Sequence, residues 1–133
     1  MMLLLILRVG WLSGQLSSSG PMPNTGKITT TAFTGSGQTK IVASANAGEV
    51  WQVTGASGLV SSGSGTAVFV LGITDGVNTV RIESLSFTGN NEFNITSTAG
   101  PLYIDENISL NVVSSGGSFP TEATCLISLQ RVR

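Results

Sequence analysis

The segment AVFVLGITDGVNTVRIESLSF, residues 67–87, decides the fold, because it contains two apolar strands joined by a short turn. Asp75-Gly76-Val77-Asn78 separates the two strands, and Gly76 can adopt the positive φ that a tight reversal requires. Both flanks are rich in β-branched residues, which favour strands. The segment therefore predicts an antiparallel β-hairpin.

The second strand of this hairpin changes face partway along its length. Val80 and Ile82 share one face, whereas Leu85 and Phe87 have the opposite parity. A β-bulge near residues 83–84 would place all four side chains inside, so we expect one there.

The rest of the chain repeats this pattern of short apolar segments separated by Gly, Ser and Asn. The further candidate strands are KITTTAF, TKIVASA, EVWQVTGA, PLYIDE, ISLNVV and ATCLISLQRV. The glycine-rich TGSGQTK (residues 34–40) lacks the spacing of a phosphate-binding loop, and we expect a hairpin connection there. About eight antiparallel strands at this spacing predict an all-β fold, a jelly-roll-like β-sandwich.

The start of the chain differs from the rest. MMLLLIL is apolar, Arg8 follows it, and SSSGPMPNTG has the prolines and small residues of a linker. We expect an extended N-terminal arm and linker over residues 1–26 and a β-sandwich domain over residues 27–133. The arm side chains expected in an interface are the apolar residues Leu3, Leu4, Leu5, Ile6, Leu7 and Trp11.

Three interpretations compete for this apolar start. A secretory signal carries a basic residue before its apolar run, whereas Arg8 comes after it. A membrane-spanning helix needs about twenty apolar residues, and this run ends by Leu12. An arm packed against its own domain or a neighbouring subunit fits better. A start at Met22 would make the first residues a translation artefact, and that alternative stays open.

Composition argues against several classes of function. The chain has 133 residues, 41% of them hydrophobic and 10% charged, which predicts one folded domain with a polar, uncharged surface. A formal net charge of −1, with scattered basic residues, does not favour nucleic-acid binding. The absence of His excludes Ser-His-Asp and Cys-His catalysis. The seven acidic residues form no evident catalytic pair or calcium loop, so we expect no enzyme activity, metal or cofactor.

Several apolar residues have two possible roles. Trp51 and Cys125 alternate with other apolar residues and are expected in the core. Val68 and Val70 occupy the second face of a strand that is apolar on both sides, so something must cover them. Another layer of the same chain, the N-terminal arm or a subunit interface would do so, and Tyr103 is a further interface candidate.

Four stretches together suggest a family. SANAGEVWQVTGASG, AVFVLGITDG, PLYIDENISLNVVSSGG and TCLISLQRVR resemble the small all-β capsid decoration, or cement, proteins of tailed bacteriophages, over residues 27–133. The resemblance implies a virion protein that commonly forms a homotrimer on the outer capsid surface and bridges major capsid proteins. It implies no catalysis, and neither nucleic acid nor membrane as a partner.

Two other functions remain in competition with this one. A secreted carbohydrate-binding β-sandwich would lose the opening segment by cleavage and would carry an exposed aromatic platform. A phage tail or fibre tip domain would be accompanied by a long repeat or a coiled-coil stalk, which is not visible in this sequence.

Overall fold

Nine β-strands form in the computed structural model, which describes residues 26–95 and 101–133. In chain order they are β1 (Gly26–Phe33), β2 (Thr39–Ala43), β3 (Val50–Ser62), β4 (Ala67–Thr74), β5 (Thr79–Phe87), β6 (Asn90–Glu92), β7 (Leu102–Asp105), β8 (Ser109–Ser115) and β9 (Glu122–Arg131). Within these residues no helix is long and apolar enough to cross a membrane. Apart from Gly26, the expected arm and linker lie outside the described residues.

The strands form two antiparallel sheets. Sheet A has the order β1-β9-β3-β6, with β7 also paired to β3, and sheet B has the order β2-β8-β4-β5. The first strand therefore pairs with the last, the second with the eighth, and the fourth with the fifth, as in one long hairpin wrapped over itself. This nesting is a jelly-roll arrangement, and the predicted all-β sandwich is confirmed.

The core between the sheets is built around three phenylalanines. Phe33 of β1 contacts Phe69 of β4 at a ring-centroid distance of 4.8 Å, and Phe69 contacts Phe87 of β5 at 5.1 Å. Such tilted ring pairs stabilise by about 0.5–1.5 kcal/mol beyond their buried area. Trp51 and Cys125 are buried with them, as the sequence predicts. Because the rings come from both sheets, their burial joins the two layers.

The predicted hairpin is present between β4 and β5. Asp75 Oδ1 accepts hydrogen bonds from the backbone N–H groups of Asn78 (2.6 Å) and Val77 (2.8 Å), and Gly76 has φ +94°. The N–H groups of Asn78 and Val77 hold the pKa of the Asp75 carboxyl below its usual value, because they stabilise the charged form. The turn thus forms by the expected mechanism.

The bulge in β5 lies one residue earlier than expected. The ladder between β4 and β5 skips Ile82, immediately before Glu83. Beyond it, Leu85 and Phe87 are buried in the core. Val80 is 61% exposed next to the turn, so the expectation that all four side chains lie inside is wrong for this residue.

Two segments expected as loops contribute to strands. β3 continues through GLVSS to Ser62, and β6 (Asn90–Glu92) begins within TGNN, residues 88–91, where turn residues predominate. A Cβ at Gly58 would lie 2.6 Å from ring atoms of Phe87, so this glycine permits a close approach within a strand. The glycine was therefore a poor marker of a loop.

The connection at residues 34–40 joins different sheets, and the hairpin expected there is wrong. β1 pairs with β9 instead of β2, so this connection turns a corner of the sandwich. Side chains tie the two edge strands together: Thr29 Oγ1 donates to the Val42 carbonyl (2.8 Å), and Lys40 Nζ donates to the Ala32 carbonyl (2.7 Å). These bonds satisfy carbonyl groups at the sheet edges.

Candidate interaction surface

The outer face of sheet A consists largely of uncharged side chains. Alternate residues of β1, β9 and β3 point away from the core, apart from two irregularities in β3 where the ladder to β9 skips Thr54 and Ser61. The strand register places these outward residues in rows across the sheet. Three of the rows are Ile28-Ser128-Gly55, Thr30-Leu126-Ser57 and Ala32-Thr124-Leu59.

A groove of about 650 Å³ lies on this face. We call it the sheet A groove. Its floor contains the small residues Ser128, Gly55 and Ser57. The larger side chains of Ile28, on β1, and Ile95, after β6, line the two ends of the groove on the same face of the sheet. Small residues between tall ones leave the depression. Leu126 adds a half-buried apolar side chain to the lining.

Hydroxyl groups on this face bond to one another across the strands. Thr54 Oγ1 and Ser128 Oγ are 2.9 Å apart, and Ser61 Oγ and Thr124 Oγ1 are 3.0 Å apart. A polar group loses free energy on burial chiefly when it is left without a hydrogen-bond partner. These hydroxyls keep their partners when the face is covered, so covering it carries a small desolvation cost.

The apolar and charged groups of the groove are distributed unevenly. Ile28 is 68% exposed, which leaves most of a large apolar side chain in water. Among the described residues that line the groove, the carboxylate belongs to Glu92, an exposed residue on β6. Within residues 26–95 and 101–133 the ion pair found joins Arg131 and Glu49, so Glu92 has no cationic partner there. The groove is suited to an apolar segment that carries a positive charge at one end.

The body residues predicted for a subunit contact lie on two different sheets. Val68 and Val70 are half-buried neighbours on β4 in sheet B, with Val113 paired to Val70. Tyr103 lies on β7 in sheet A, is 47% exposed, and pairs with Gln52. The two valines are thus brought together, whereas Tyr103 is separated from them by the thickness of the sandwich. The predicted arm contacts fall on residues 3–7 and 11, outside the described residues.

Sequence reasoning missed the groove residues. Cys125 and Ile127 were assigned to the core from their alternation, and Leu126 between them necessarily points the other way. Ile28 likewise has the parity opposite to Phe33. Alternation along each strand therefore predicts that Leu126 and Ile28 face outward. No pattern in the sequence indicates that β1 and β9 are neighbours.

The principal titratable cluster in the described residues lies elsewhere, beside the start of β3. Trp51 Nε1 donates to Glu49 Oε1 (3.0 Å), Lys27 Nζ lies 4.3 Å from a Trp51 ring centroid, and Arg131 is 3.8 Å from Glu49. The Trp51 hydrogen bond, helped by the Asn46 backbone, lowers the pKa of Glu49. These contacts attach the C-terminal strand to β3.

The described residues show no metal-binding arrangement and a thiol of low reactivity. No three His, Cys, Asp or Glu side chains within residues 26–95 and 101–133 are grouped to hold a metal ion. Burial raises the pKa of Cys125 to about 12, so its thiol stays protonated near neutral pH. The groups that line the groove are suited to binding and packing.

Comparisons with known proteins were made with family models, curated proteins and solved structures. A scan against protein-family models finds no match. A search of curated proteins likewise finds none. Among solved structures, the chain is similar to a protein of Bacillus endospore appendages, described as a novel family of disulfide-linked pili. The TM-score is 0.45 and the identity 12%, over 90% of this chain and 99% of that one.

Proposed function

We propose that the chain is a non-enzymatic structural subunit of a virus particle, a capsid decoration or cement protein. In this proposal it binds copies of itself as a homotrimer, and it binds the major capsid protein on the outer surface of the shell. The observation that carries the proposal is the outer face of sheet A. There, exposed apolar side chains alternate with hydroxyls that already have hydrogen-bond partners.

The physical chemistry of this face supports assembly. Burying apolar surface stabilises a contact by about 25 cal/mol per Å². Burying hydroxyls that are already hydrogen-bonded to each other adds little opposing cost, because they still have a partner after water is removed. The charged residues Glu92 and Glu122 are at the margins of the face, at β6 and at the start of β9. A contact over its centre therefore buries no unpaired charge, which is the arrangement of a stable interface core.

The fold supports the proposal less specifically. Double-sheet jelly rolls occur in viral capsid and lectin domains alike, so the architecture suits a shell protein without identifying one. The resemblance of four sequence stretches to phage decoration proteins favours the first of these two uses. The combination of resemblance and surface chemistry leads to the proposal.

A reconstitution experiment tests this function. Phage particles that lack the protein are heated with a fluorescent DNA-binding dye, before and after addition of purified full-length protein. We expect the added protein to raise the temperature at which shells release DNA. The Leu4→Asp/Ile6→Asp chain should raise it less, because a charged arm cannot pack in an apolar site. Equal release temperatures with and without the wild-type protein would contradict the cement function.

One observation favours a second candidate, a carbohydrate-binding module. Tyr103 exposes nearly half of its surface in the same row as the amides of Gln52 and Gln130, on the outer face of sheet A. An aromatic ring beside amide groups offers a stacking surface and hydrogen bonds to a sugar. A glycan array probed with wild-type and Tyr103→Ala protein distinguishes the candidates. Binding that Tyr103→Ala abolishes would favour the module, and no binding would remove it.

A further inference from the structure

We propose that residues 3–7 of one copy bind in the sheet A groove of a second copy, with Arg8 placed beside Glu92. This inference rests on the proposed function, because it names the contact that joins subunits of the assembled protein. It makes the interface heterologous: the arm of each chain enters the body of the next. Three closures of this kind generate the trimer.

The dimensions of the groove match those of the apolar run. The groove extends over the outward rows of β1, β9 and β3 to the segment after β6, which is three strand spacings or about 14 Å. Five residues in extended conformation span about 17 Å at 3.3 Å per residue. Residues 3–7 are LLLIL, so in an extended segment alternate side chains such as Leu4 and Ile6 can fill the depression over Gly55, Ser57 and Ser128.

The charges are complementary in position as well as in sign. Arg8 directly follows the apolar run, and Glu92 is the carboxylate at one side of the groove. When residues 3–7 lie across the floor, the next residue reaches one of its sides. An exposed Arg–Glu pair contributes modestly to affinity, but it fixes the direction in which the segment enters.

The length of the intervening chain permits binding to a neighbour. Residues 8–25 separate the apolar run from β1, and when fully extended they reach at most about 60 Å. A domain of this size has a radius of gyration of about 13 Å. The chain is thus long enough to cross from one body to the groove of an adjacent one. Pro21 and Pro23 favour an extended backbone over the last part of this connection.

Matched substitutions on the two outer faces test the site. Ile28→Asp places a charge in the groove. Ile41→Asp places the same charge on an edge strand of sheet B, at a position of similar exposure: Ile41 is 52% exposed and Ile28 is 68% exposed. Loss of one large apolar contact corresponds to about tenfold to a hundredfold in affinity. Sedimentation velocity over a concentration series measures the dissociation constant of the oligomer. We expect this constant to be at least tenfold higher for Ile28→Asp than for wild type. Ile41→Asp should assemble like wild type, with both variants folded by circular dichroism.

A mixing experiment then tests whether the arm acts between chains. The Leu4→Asp/Ile6→Asp chain keeps its groove, and the Ile28→Asp chain keeps its arm. Each variant alone should be monomeric, whereas an equimolar mixture should form a one-to-one complex that cannot grow. Reversal at the charged contact provides a second readout: Glu92→Arg should weaken assembly several-fold at low salt, and Arg8→Glu in the same chain should restore it.

The outcomes separate the contact from the function. If wild type assembles and Ile28→Asp assembles equally well, or if Ile41→Asp dissociates instead, the groove assignment is overturned while the structural role stands. If the variants are monomeric but their mixture forms no complex, the arm does not bind the groove of a second copy, and the inference is also overturned. If wild type is monomeric at all concentrations and absent from particles, the proposed function fails with it.

Discussion

Replacing Gly58 by alanine should destabilise the domain although it adds only one methyl group. Gly58 lies in the middle of β3, where an added Cβ would be 2.6 Å from both Cε1 and Cζ of Phe87. Phe87 is 4% exposed and cannot swing outward, because its ring packs edge-on against Phe69 at 5.1 Å. The methyl group must displace the ring or the strand, and such overpacking costs about 1–3 kcal/mol.

The neighbouring Gly55→Ala substitution is the matched control. Gly55 lies on the same strand, and its added Cβ would meet only Ser128 Cβ at 3.5 Å, an ordinary contact. We expect its free energy of unfolding to remain within about 0.5 kcal/mol of wild type. Urea denaturation, monitored by circular dichroism at one pH, measures the free energy of unfolding of each variant.

A double variant identifies the clash as the cause. Phe87→Leu alone should cost about 1–2 kcal/mol through the loss of buried ring volume. In the Gly58→Ala/Phe87→Leu chain the shorter side chain removes the clash, so the double variant should be at least about 1 kcal/mol more stable than the sum of the single effects predicts. Additive effects, or a Gly58→Ala chain as stable as Gly55→Ala, would show that contact with the Phe87 ring does not cause the destabilisation.

Two further predictions concern titratable groups. Because the folded pKa of Glu49 is lowered from 4.5, its contribution to stability is present above the unfolded pKa and is lost as pH falls through the folded pKa. The melting temperature of wild type should therefore fall more steeply than that of Glu49→Gln as pH is lowered from 6 toward 2, and parallel curves would contradict this. Because Cys125 is fully buried with a pKa of about 12, a thiol reagent at pH 8 should leave the folded protein unmodified. The same reagent should label one thiol per chain in urea, and rapid labelling without urea would contradict the burial.

Local chemistry made the hairpin and the core predictable. The Asp75–Asn78 turn uses the expected glycine, and the alternation in β9 correctly assigns Cys125 to the interior. The course of β3 was less predictable, because Gly58 has the composition of a loop but serves a close contact with Phe87 that only the folded structure reveals. Contacts between strands distant in sequence decide such positions.

The interaction surface depended on pairings that the sequence does not specify. Ile28 and Leu126 form one face because β1 and β9, at opposite ends of the body, are hydrogen-bonded neighbours. The sequence indicates Val68 and Val70 as one face of a strand that is apolar on both sides, and Tyr103 only as an aromatic residue; the topology places the valines and the tyrosine on different sheets. Alternation along a strand predicts which face a residue occupies, but it does not predict which residues lie beside it on neighbouring strands.

The most direct measurement of the central claim is an intact-mass spectrum of the native protein from gradient-purified particles. We expect a chain that sediments with particles and extends from Met1 or Met2 to Arg133, because residues 3–8 form the proposed contact between subunits. A protein found only in the soluble fraction, with its first residue between Ser17 and Met22, would contradict it. In that case the apolar run was removed or never translated, and it cannot hold the assembly together.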